Sequence, residues 1–149
     1  VGRVSCKGKP LMNGYIGDEA LTASVLRDDT VYTADLGRID EQGRLRLEGR
    51  AGDVINVGGY KVVPTEVEDA ALSLPMVKDC ICIPAQYCVL GTVLKLLVVL
   101  ADGYELDKRA IAKGLQQHLE NYKIPMQYEQ VEEIKRTYNG KIDRKAYAP

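Results

Sequence analysis

The sequence predicts an α+β protein, with a short β-rich segment over residues 1–50 followed by a small mixed domain over residues 51–149. In the first part, short strand-like runs alternate with turn signals and contain few apolar residues. In the second part, apolar runs of strand length alternate with segments that have helical spacing. We therefore expect a few-stranded sheet with flanking helices, preceded by strands that pack against a region outside this chain.

The first part contains a predicted β-hairpin. Residues 37–40 and 44–48 alternate apolar and polar side chains around a turn at 41–43. A strand is expected over residues 1–7, and a short helix that begins near Asp18 precedes the hairpin. These elements have too few apolar residues to form a core by themselves.

The second part begins with a predicted helix. Thr65 and Glu68 have the spacing of a capping box, in which each side chain bonds a backbone N–H at the helix start. This helix is expected to end before Pro75. Residues 77–83 and 92–101 then predict paired strands, joined by a loop over 84–91.

A second helix follows the strand pair. Asp107 is its expected N-cap, and Ile111, Leu115 and Leu119 lie on one stripe. The spacing of apolar residues over 128–134 predicts an irregular strand after this helix.

Composition excludes several classes of protein. The chain has 149 residues, 46% hydrophobic and 28% charged, with a net charge of −1. Such a balance is typical of a globular protein and gives no general attraction to nucleic acid or a membrane. The longest apolar run, residues 93–101, is shorter than the roughly 20 residues of a membrane-spanning helix. The chain opens without a methionine, so we expect a fragment of a longer protein.

The cysteines predict free thiols. Cys80 and Cys82 alternate along a predicted strand and should point to the same face, whereas Cys6, Cys88 and the lone His118 lie elsewhere. No zinc-like spacing is present. Free thiols in a reducing compartment are favoured over a metal site or a disulfide, and cytoplasmic localisation is the expectation.

Three places could carry chemistry. Lys141 follows a turn at 138–140 and is either a point charge presented to another domain or a solvated surface charge. The glycines within 49–53 are either a hinge or a plain connecting loop. Residues 57–61, V-G-G-Y-K, form a loop that a ligand or another backbone can approach closely. No complete phosphate-binding motif is present, so no self-contained nucleotide site is predicted.

Four motifs in order resemble those of the AMP-forming adenylating superfamily, which includes acyl- and aryl-CoA synthetases, peptide-synthetase adenylation domains and luciferases. The matching segments are Y-T-A-D-L-G at 32–37, G-R-A-G-D-V-I-N-V-G-G-Y at 49–60 with P-T-E-V-E at 64–68, Y-K-I-P at 122–125 and N-G-K-I-D-R-K at 139–145. The resemblance spans essentially the whole chain.

The resemblance implies roles by position. Asp35 would bind the ribose hydroxyls of ATP, which is expected with Mg²⁺, and Arg50 would help to hold the nucleotide. Lys141 would bridge the carboxylate of the acid and the α-phosphate as the catalytic lysine. For thioester formation the C-terminal domain would rotate about Gly52 or Asp53.

That rotation would bring Gly58 and Gly59 to the thiol of CoA or of phosphopantetheine. Lys61, just past the glycines, is either a contact for the phosphates of CoA or a solvated lysine. The loop is more similar to that of CoA ligases than to that of peptide synthetases, so CoA is the favoured acceptor over a carrier protein.

The sequence also departs from the family pattern. Ala34, Gly52 and Asn56 replace a glycine, the acidic hinge residue and a common lysine. The phosphate loop and the acid pocket belong to an N-terminal domain that is the expected partner, so the acid substrate stays unidentified. A rival hypothesis is a free-standing, non-catalytic module that binds a carrier protein or another partner.

Overall fold

In the computed structural model, residues 1–147 are described, and the chain divides into two compact units, Val1–Asp53 and Val54–Pro149. Ala148 and Pro149, which belong to the predicted second domain, lie outside the described residues. The first unit is rich in strands, and the second mixes helices with small sheets. The α+β fold class is therefore confirmed.

The first unit is organised around its longest strand. Its elements are β1 (Gly2–Lys7), α1 (Glu19–Val25), β2 (Leu26–Arg27), β3 (Thr30–Ile39) and β4 (Leu45–Arg50), followed by a short 3₁₀ turn, Ala51–Asp53. Strand β3 pairs antiparallel with β1, β2 and β4. The helix begins where the sequence predicted, because Asp18 caps it by accepting a hydrogen bond from the Leu21 N–H at 2.8 Å.

The β3–β4 hairpin also forms as predicted. Gly43 takes a φ of +76° at the turn, a conformation that favours glycine. Asp40 precedes the turn, and its carboxylate accepts from the N–H groups of Arg44 at 2.9 Å and Gln42 at 3.0 Å. Hydrogen bonds to the charged carboxylate, that from the Arg44 backbone above all, hold the pKa of Asp40 below its usual value.

The second unit contains two small sheets and two helices. Its elements are β5 (Ile55–Val57), β6 (Tyr60–Val62), α2 (Pro64–Leu72), β7 (Val77–Tyr87), β8 (Gly91–Leu100), α3 (Lys108–Leu115) and β9 (Gln127–Gln130). Strand β8 is central in the larger sheet, pairing antiparallel with β7 and parallel with β9. Strand β9 corresponds to the irregular strand that the sequence predicted over residues 128–134.

The predicted loop between the paired strands is wrong in extent. Strand β7 continues through Pro84 to Tyr87, so only residues 88–90 connect it to β8. Pro84 is opposite Leu94 in the ladder. A proline is tolerated there because β7 is an edge strand, where a missing N–H need not break the pairing with a further strand.

The larger sheet buries both faces. One face joins Cys80, Cys82 and Leu96 to the buried residues of both helices, among them Val67 and Ile111. On the other face Ile81 and Leu97 form a smaller cluster with Ile134, against which Val131, Ile142 and Tyr147 also pack. The C-terminal segment therefore covers the face that the helices leave open. Alternation along β7 places its two cysteines on one face, as predicted, and this face is the one that the helices cover.

The capping-box prediction for α2 is wrong. The helix begins at Pro64 with Val63 as N-cap, and no side chain caps it. Proline suits the first helical position because its missing N–H would have no intrahelical partner. Glu68 lies in the body of α2, where its side chain is buried and bonds groups other than the N–H groups at the helix start. For α3 the prediction is confirmed: the Asp107 carboxylate accepts from the N–H groups of Arg109 at 2.9 Å and Ala110 at 3.0 Å.

Candidate functional site

Asp35 and Arg50 meet on neighbouring strands of the first unit. They are directly opposite each other in the β3–β4 ladder, and the Arg50 guanidinium lies 3.3 Å from the Asp35 carboxylate. The Asp35 side chain is 41% exposed. The pairing orients the carboxylate while it stays open to solvent, so that it can accept hydrogen bonds from a hydroxyl-bearing ligand. The structure therefore brings together the two residues that the sequence assigned to the nucleotide.

The glycine pair forms a tight turn between β5 and β6 in the second unit. Gly58 and Gly59 both have positive φ, +56° and +90°, as a two-residue hairpin turn with the twist of the strands requires. The Asn56 side-chain oxygen accepts from the Gly59 N–H at 3.0 Å and fixes the turn. A Cβ at either glycine would meet no atom within 4 Å, so the turn is open on its outer side. Lys61 follows on β6 and is exposed.

A stacked pair of tyrosines lies next to this turn. The rings of Tyr60 and Tyr122 are 4.5 Å apart and inclined by 20°. Lys123 is buried beside them and forms ion pairs with Glu66 at 2.6 Å and Glu120 at 2.8 Å. Burial opposes the charge of Lys123, but the hydrogen bonds to the two carboxylates outweigh it, and the pKa of Lys123 is raised above its ordinary value. The Y-K-I-P motif is therefore a support for the β5–β6 hairpin.

Lys141 is at the end of a tight hairpin and is exposed to solvent. The Thr137 N–H donates to the Lys141 carbonyl at 2.7 Å, and the Gly140 N–H donates to the Thr137 carbonyl at 2.9 Å. Gly140 takes a φ of +80°, as expected for the predicted turn. The Thr137 hydroxyl also donates to the Asn139 side-chain oxygen. The lysine side chain therefore extends from a backbone that is fixed by several hydrogen bonds.

Two arginines flank this hairpin and tie it to the rest of the unit. Arg136 donates to the Asp79 carboxylate at 2.6 Å and to the Gly140 carbonyl at 3.2 Å. Arg144 makes a two-pronged contact with the Glu68 carboxylate, at 2.8 Å to Oε1 and 2.6 Å to Oε2. Such paired hydrogen bonds fix the orientation of both planar groups.

Glu68 also links the two sides of the sheet. Its Oε1 accepts from the Cys82 N–H at 2.8 Å, at the edge of β7 that pairs with no other strand among the described residues. One carboxylate on α2 thus satisfies an edge-strand N–H and holds Arg144 of the C-terminal segment. Sequence reasoning assigned Glu68 to a capping box and gave Arg144 no partner. The usable signal was that Glu68 follows Val67 and precedes Ala71, two residues on the buried side of α2.

The two groups of predicted residues in the second unit lie on opposite faces of its larger sheet. The glycine hairpin belongs to the helix-side cluster through Ile55 and Val57. The lysine hairpin belongs to the other cluster through Ile142. The structure therefore does not bring Lys141 and the glycine pair into one site.

The described residues contain no group of three or more His, Cys, Asp or Glu side chains that could hold a metal ion. Cys6 and Cys88 are exposed free thiols, and Cys80 and Cys82 are buried ones. None of the helices in the described part of the chain has the length and apolar character that a membrane crossing needs.

The small mixed α+β fold matches the C-terminal domain of adenylate-forming enzymes. Comparison with known proteins agrees. The family model for the AMP-binding enzyme C-terminal domain matches residues 66–141, half of the chain, and the chain belongs to this family.

Individual relatives match over nearly the whole chain. The mitochondrial acyl-coenzyme A synthetase ACSM1 of Homo sapiens is 36% identical over 97% of this chain and 27% of its own length. The 3,4-dihydroxybenzoate–[aryl-carrier protein] ligase of Bacillus anthracis is 38% identical over 93% of this chain and 34% of its own.

Among solved structures, the o-succinylbenzoate CoA synthetase of Bacillus subtilis, in complex with its acyl-adenylate intermediate, superposes with a TM-score of 0.89. The two chains are 26% identical, and the match covers 99% of this chain and 30% of the length of the synthetase. The chain thus spans about a quarter to a third of the length of the relatives that it matches.

Proposed function

We propose that this chain is the C-terminal portion of an ATP-dependent, AMP-forming ligase that joins a carboxylic acid to the thiol of coenzyme A. The observation that carries the proposal is the pair of hairpins on opposite faces of one sheet. One hairpin presents the Lys141 ammonium group, and the other presents the bare backbone of Gly58 and Gly59. Two half-reactions with different needs can then use two faces of the same unit.

In the first half-reaction a carboxylate oxygen attacks the α-phosphorus of ATP. The new P–O bond forms as the bond to the bridging oxygen breaks, and pyrophosphate leaves. Two anions must approach each other, so a fixed cation between them offsets their repulsion and the charge on the phosphoryl oxygens. Lys141 supplies this cation. Asp35 accepts hydrogen bonds from the ribose hydroxyls, and Arg50 orients Asp35. Mg²⁺ accompanies ATP as its counter-ion.

In the second half-reaction a thiol attacks the acyl carbon, and AMP leaves as the C–O bond to phosphate breaks. The glycine turn lets the thiol arm of CoA pass close to the backbone, because neither residue carries a side chain. Exchange of the two faces requires a pivot, which we place at Gly52 and Asp53. The division of the chain into two units directly after Asp53 supports this position. An N-terminal domain supplies the acid pocket and the phosphate loop, and the cysteine content favours a cytoplasmic location.

The decisive test is Lys141→Ala in the full-length enzyme. Adenylate formation, measured as acid-dependent ATP–pyrophosphate exchange, should fall on the order of 10²–10³-fold, the usual cost of losing one charge-stabilising group. Thioester formation from preformed acyl-adenylate should be nearly unchanged. Lys135→Ala, which removes another exposed lysine at the base of the same hairpin, is the matched control and should keep both rates. Equal losses in both half-reactions would exclude the assignment of Lys141 to the first.

The acceptor can be tested at Lys61. If this exposed side chain contacts the phosphates of CoA, Lys61→Ala should raise the KM for CoA several-fold and leave the KM for free pantetheine unchanged, because pantetheine lacks those phosphates. Loss of one exposed charge contact is worth roughly 1 kcal/mol. Rapid transfer to a phosphopantetheinylated protein, with CoA and pantetheine equally slow, would instead assign the chain to a ligase that serves a carrier protein.

A further inference from the structure

The ion pair between Arg144 and Glu68 joins three elements, which are α2, the edge of β7 and the C-terminal segment. The Glu68 side chain is 5% exposed and that of Arg144 is 23% exposed. Both carboxylate oxygens of Glu68 are bonded to Arg144, and Oε1 also accepts from the Cys82 N–H. A carboxylate saturated in this way has little freedom to move.

We infer that Arg144 and Glu68 are positioning residues for Lys141, and this inference rests on the proposed function. Arg144 lies three residues after Lys141 and beyond Ile142, which packs on the face of the sheet opposite to the helices. The guanidinium crosses the edge of β7 to reach α2. It therefore fixes the chain on the far side of the lysine hairpin, while Arg136 fixes the near side through Asp79.

The two arginine contacts restrain the lysine hairpin to different degrees. The Arg136 side chain is 44% exposed, and water competes for its contact with Asp79. The Arg144 contact is two-pronged and largely shielded from water, so it restrains the backbone after Lys141 more strongly. A catalytic cation acts only when it is held at the reacting phosphoryl group, and a displacement of about 1 Å can cost on the order of 10²-fold in rate. Loss of Arg144 should therefore mimic part of the loss of Lys141 without removing the cation.

The inference predicts a specific kinetic pattern in the full-length enzyme. Arg144→Ala should lower kcat for adenylate formation on the order of 10²-fold with little change in the KM for ATP. Thioester formation from preformed acyl-adenylate should change less than about threefold, because Lys141 does not act in that step. Arg144→Lys keeps the charge but not the fork and should be intermediate. Glu68→Gln, which removes the charge but keeps the shape, should resemble Arg144→Lys.

Chemical rescue distinguishes a loss of positioning of Lys141 from a general loss of stability. Guanidinium chloride at low millimolar concentration, well below denaturing levels, should partly restore adenylate formation by Arg144→Ala, because the ion can re-occupy the space beside Glu68. It should not restore Lys141→Ala. The control for lost stability is Ile111→Val, which removes one methyl group from a fully buried side chain of α3 in the helix-side core. This variant should keep the ratio of the two half-reaction rates.

Hydrogen exchange of the backbone amides at 137–141 gives a readout that needs no activity. Exchange there should accelerate in Arg144→Ala and stay unchanged in Ile111→Val. Equal loss of both half-reactions in Arg144→Ala, absence of rescue, or unchanged exchange at 137–141 would each overturn the inference. If the folded wild-type enzyme forms no adenylate with any acid, the proposed function fails, and the exchange experiment still decides whether Arg144 fixes the hairpin.

Discussion

Each of the two units of this chain is stabilised internally in a different way. All the buried large apolar side chains among residues 1–147 belong to the second unit, where two clusters fill both faces of a three-stranded sheet. The first unit has a four-stranded sheet of similar regularity, but its only buried residue is Gly37. Its central hairpin exposes Ile39, Leu45 and Leu47 at 71%, 52% and 66%. Strand pairing defines the first unit, and core packing defines the second.

This difference has a consequence for where chemistry can be fixed. A side chain on the second unit inherits the rigidity of a packed core, since interiors are close-packed and do not deform continuously. Lys141 and the glycine turn are both anchored to that core, through Ile142 and through Ile55. Asp35 and Arg50 depend on a hairpin ladder with little buried area behind it. Under the proposed function, the first unit gains its rigidity from the N-terminal domain against which it packs.

The largest expected effect contrasts one leucine from each unit. Leu96→Ala removes a fully buried side chain from the helix-side cluster and should destabilise the second unit by about 2–5 kcal/mol. Leu47→Ala removes a side chain that is 66% exposed and should change stability by less than about 0.5 kcal/mol. In urea, pulsed labelling of the buried thiols measures Leu96→Ala, and hydrogen exchange of the β3 and β4 amides measures Leu47→Ala. A large loss in Leu47→Ala would show that the first unit has a core that the exposed surface conceals.

The second expected effect is alkaline unfolding of the second unit. Burial, reinforced by the charge of Glu68, raises the pKa of the Cys80 thiol from 9.0 to about 12, and burial raises that of Cys82 as well. The folded state then retains protons that the unfolded state releases, so stability is intact below about pH 9 and falls as the pH rises towards 12. The raised pKa of Cys80 alone corresponds to a fall of about 4 kcal/mol by pH 12, and the variant Cys80→Ala/Cys82→Ala should show less of the fall.

Alkylation with iodoacetamide at neutral pH compares the exposed thiols with the buried ones. Cys6 and Cys88 are exposed and should label at once, whereas Cys80 and Cys82 should label only when the second unit opens. Rapid labelling of all the thiols in the native protein would contradict the packing of β7 against α2.

The sequence was most informative where one residue type has one physical use. Asn139-Gly140 predicted the turn before Lys141, because a left-handed backbone favours glycine, and the turn is present. Asp107 predicted the start of α3, and alternation along β7 predicted the shared face of Cys80 and Cys82.

Prediction failed where a long-range partner outweighed a local rule. Glu68 has the spacing of a capping residue, yet a guanidinium 76 positions away and an edge-strand N–H hold it inside the helix. Strand β7 continues past Pro84 because it is an edge strand, and edge strands tolerate proline. The local sequence pattern does not reveal which strand lies at the edge of a sheet, so a loop was predicted there. The parallel pairing of β9 with β8, which places the lysine hairpin, also depends on contacts between residues far apart in the chain.

The smallest expected effect concerns a polar atom inside the second core. The hydroxyl oxygen of Tyr128 on β9 is buried without a hydrogen-bond partner among the described residues. Burial also raises the pKa of this tyrosine to about 12. A hydroxyl in this state has lost its hydrogen bonds to water and gained none, so Tyr128→Phe should leave stability unchanged or raise it by less than about 1 kcal/mol. Tyr32→Phe in the first unit, where the residue is 37% exposed, is the control and should have no effect. Pulsed thiol labelling in urea measures Tyr128→Phe, and hydrogen exchange of the β3 amides in urea measures Tyr32→Phe. A loss of more than about 1 kcal/mol in Tyr128→Phe would mean that an internal water bonds the hydroxyl, and the helix-side cluster would then be a wet core and not a dry one.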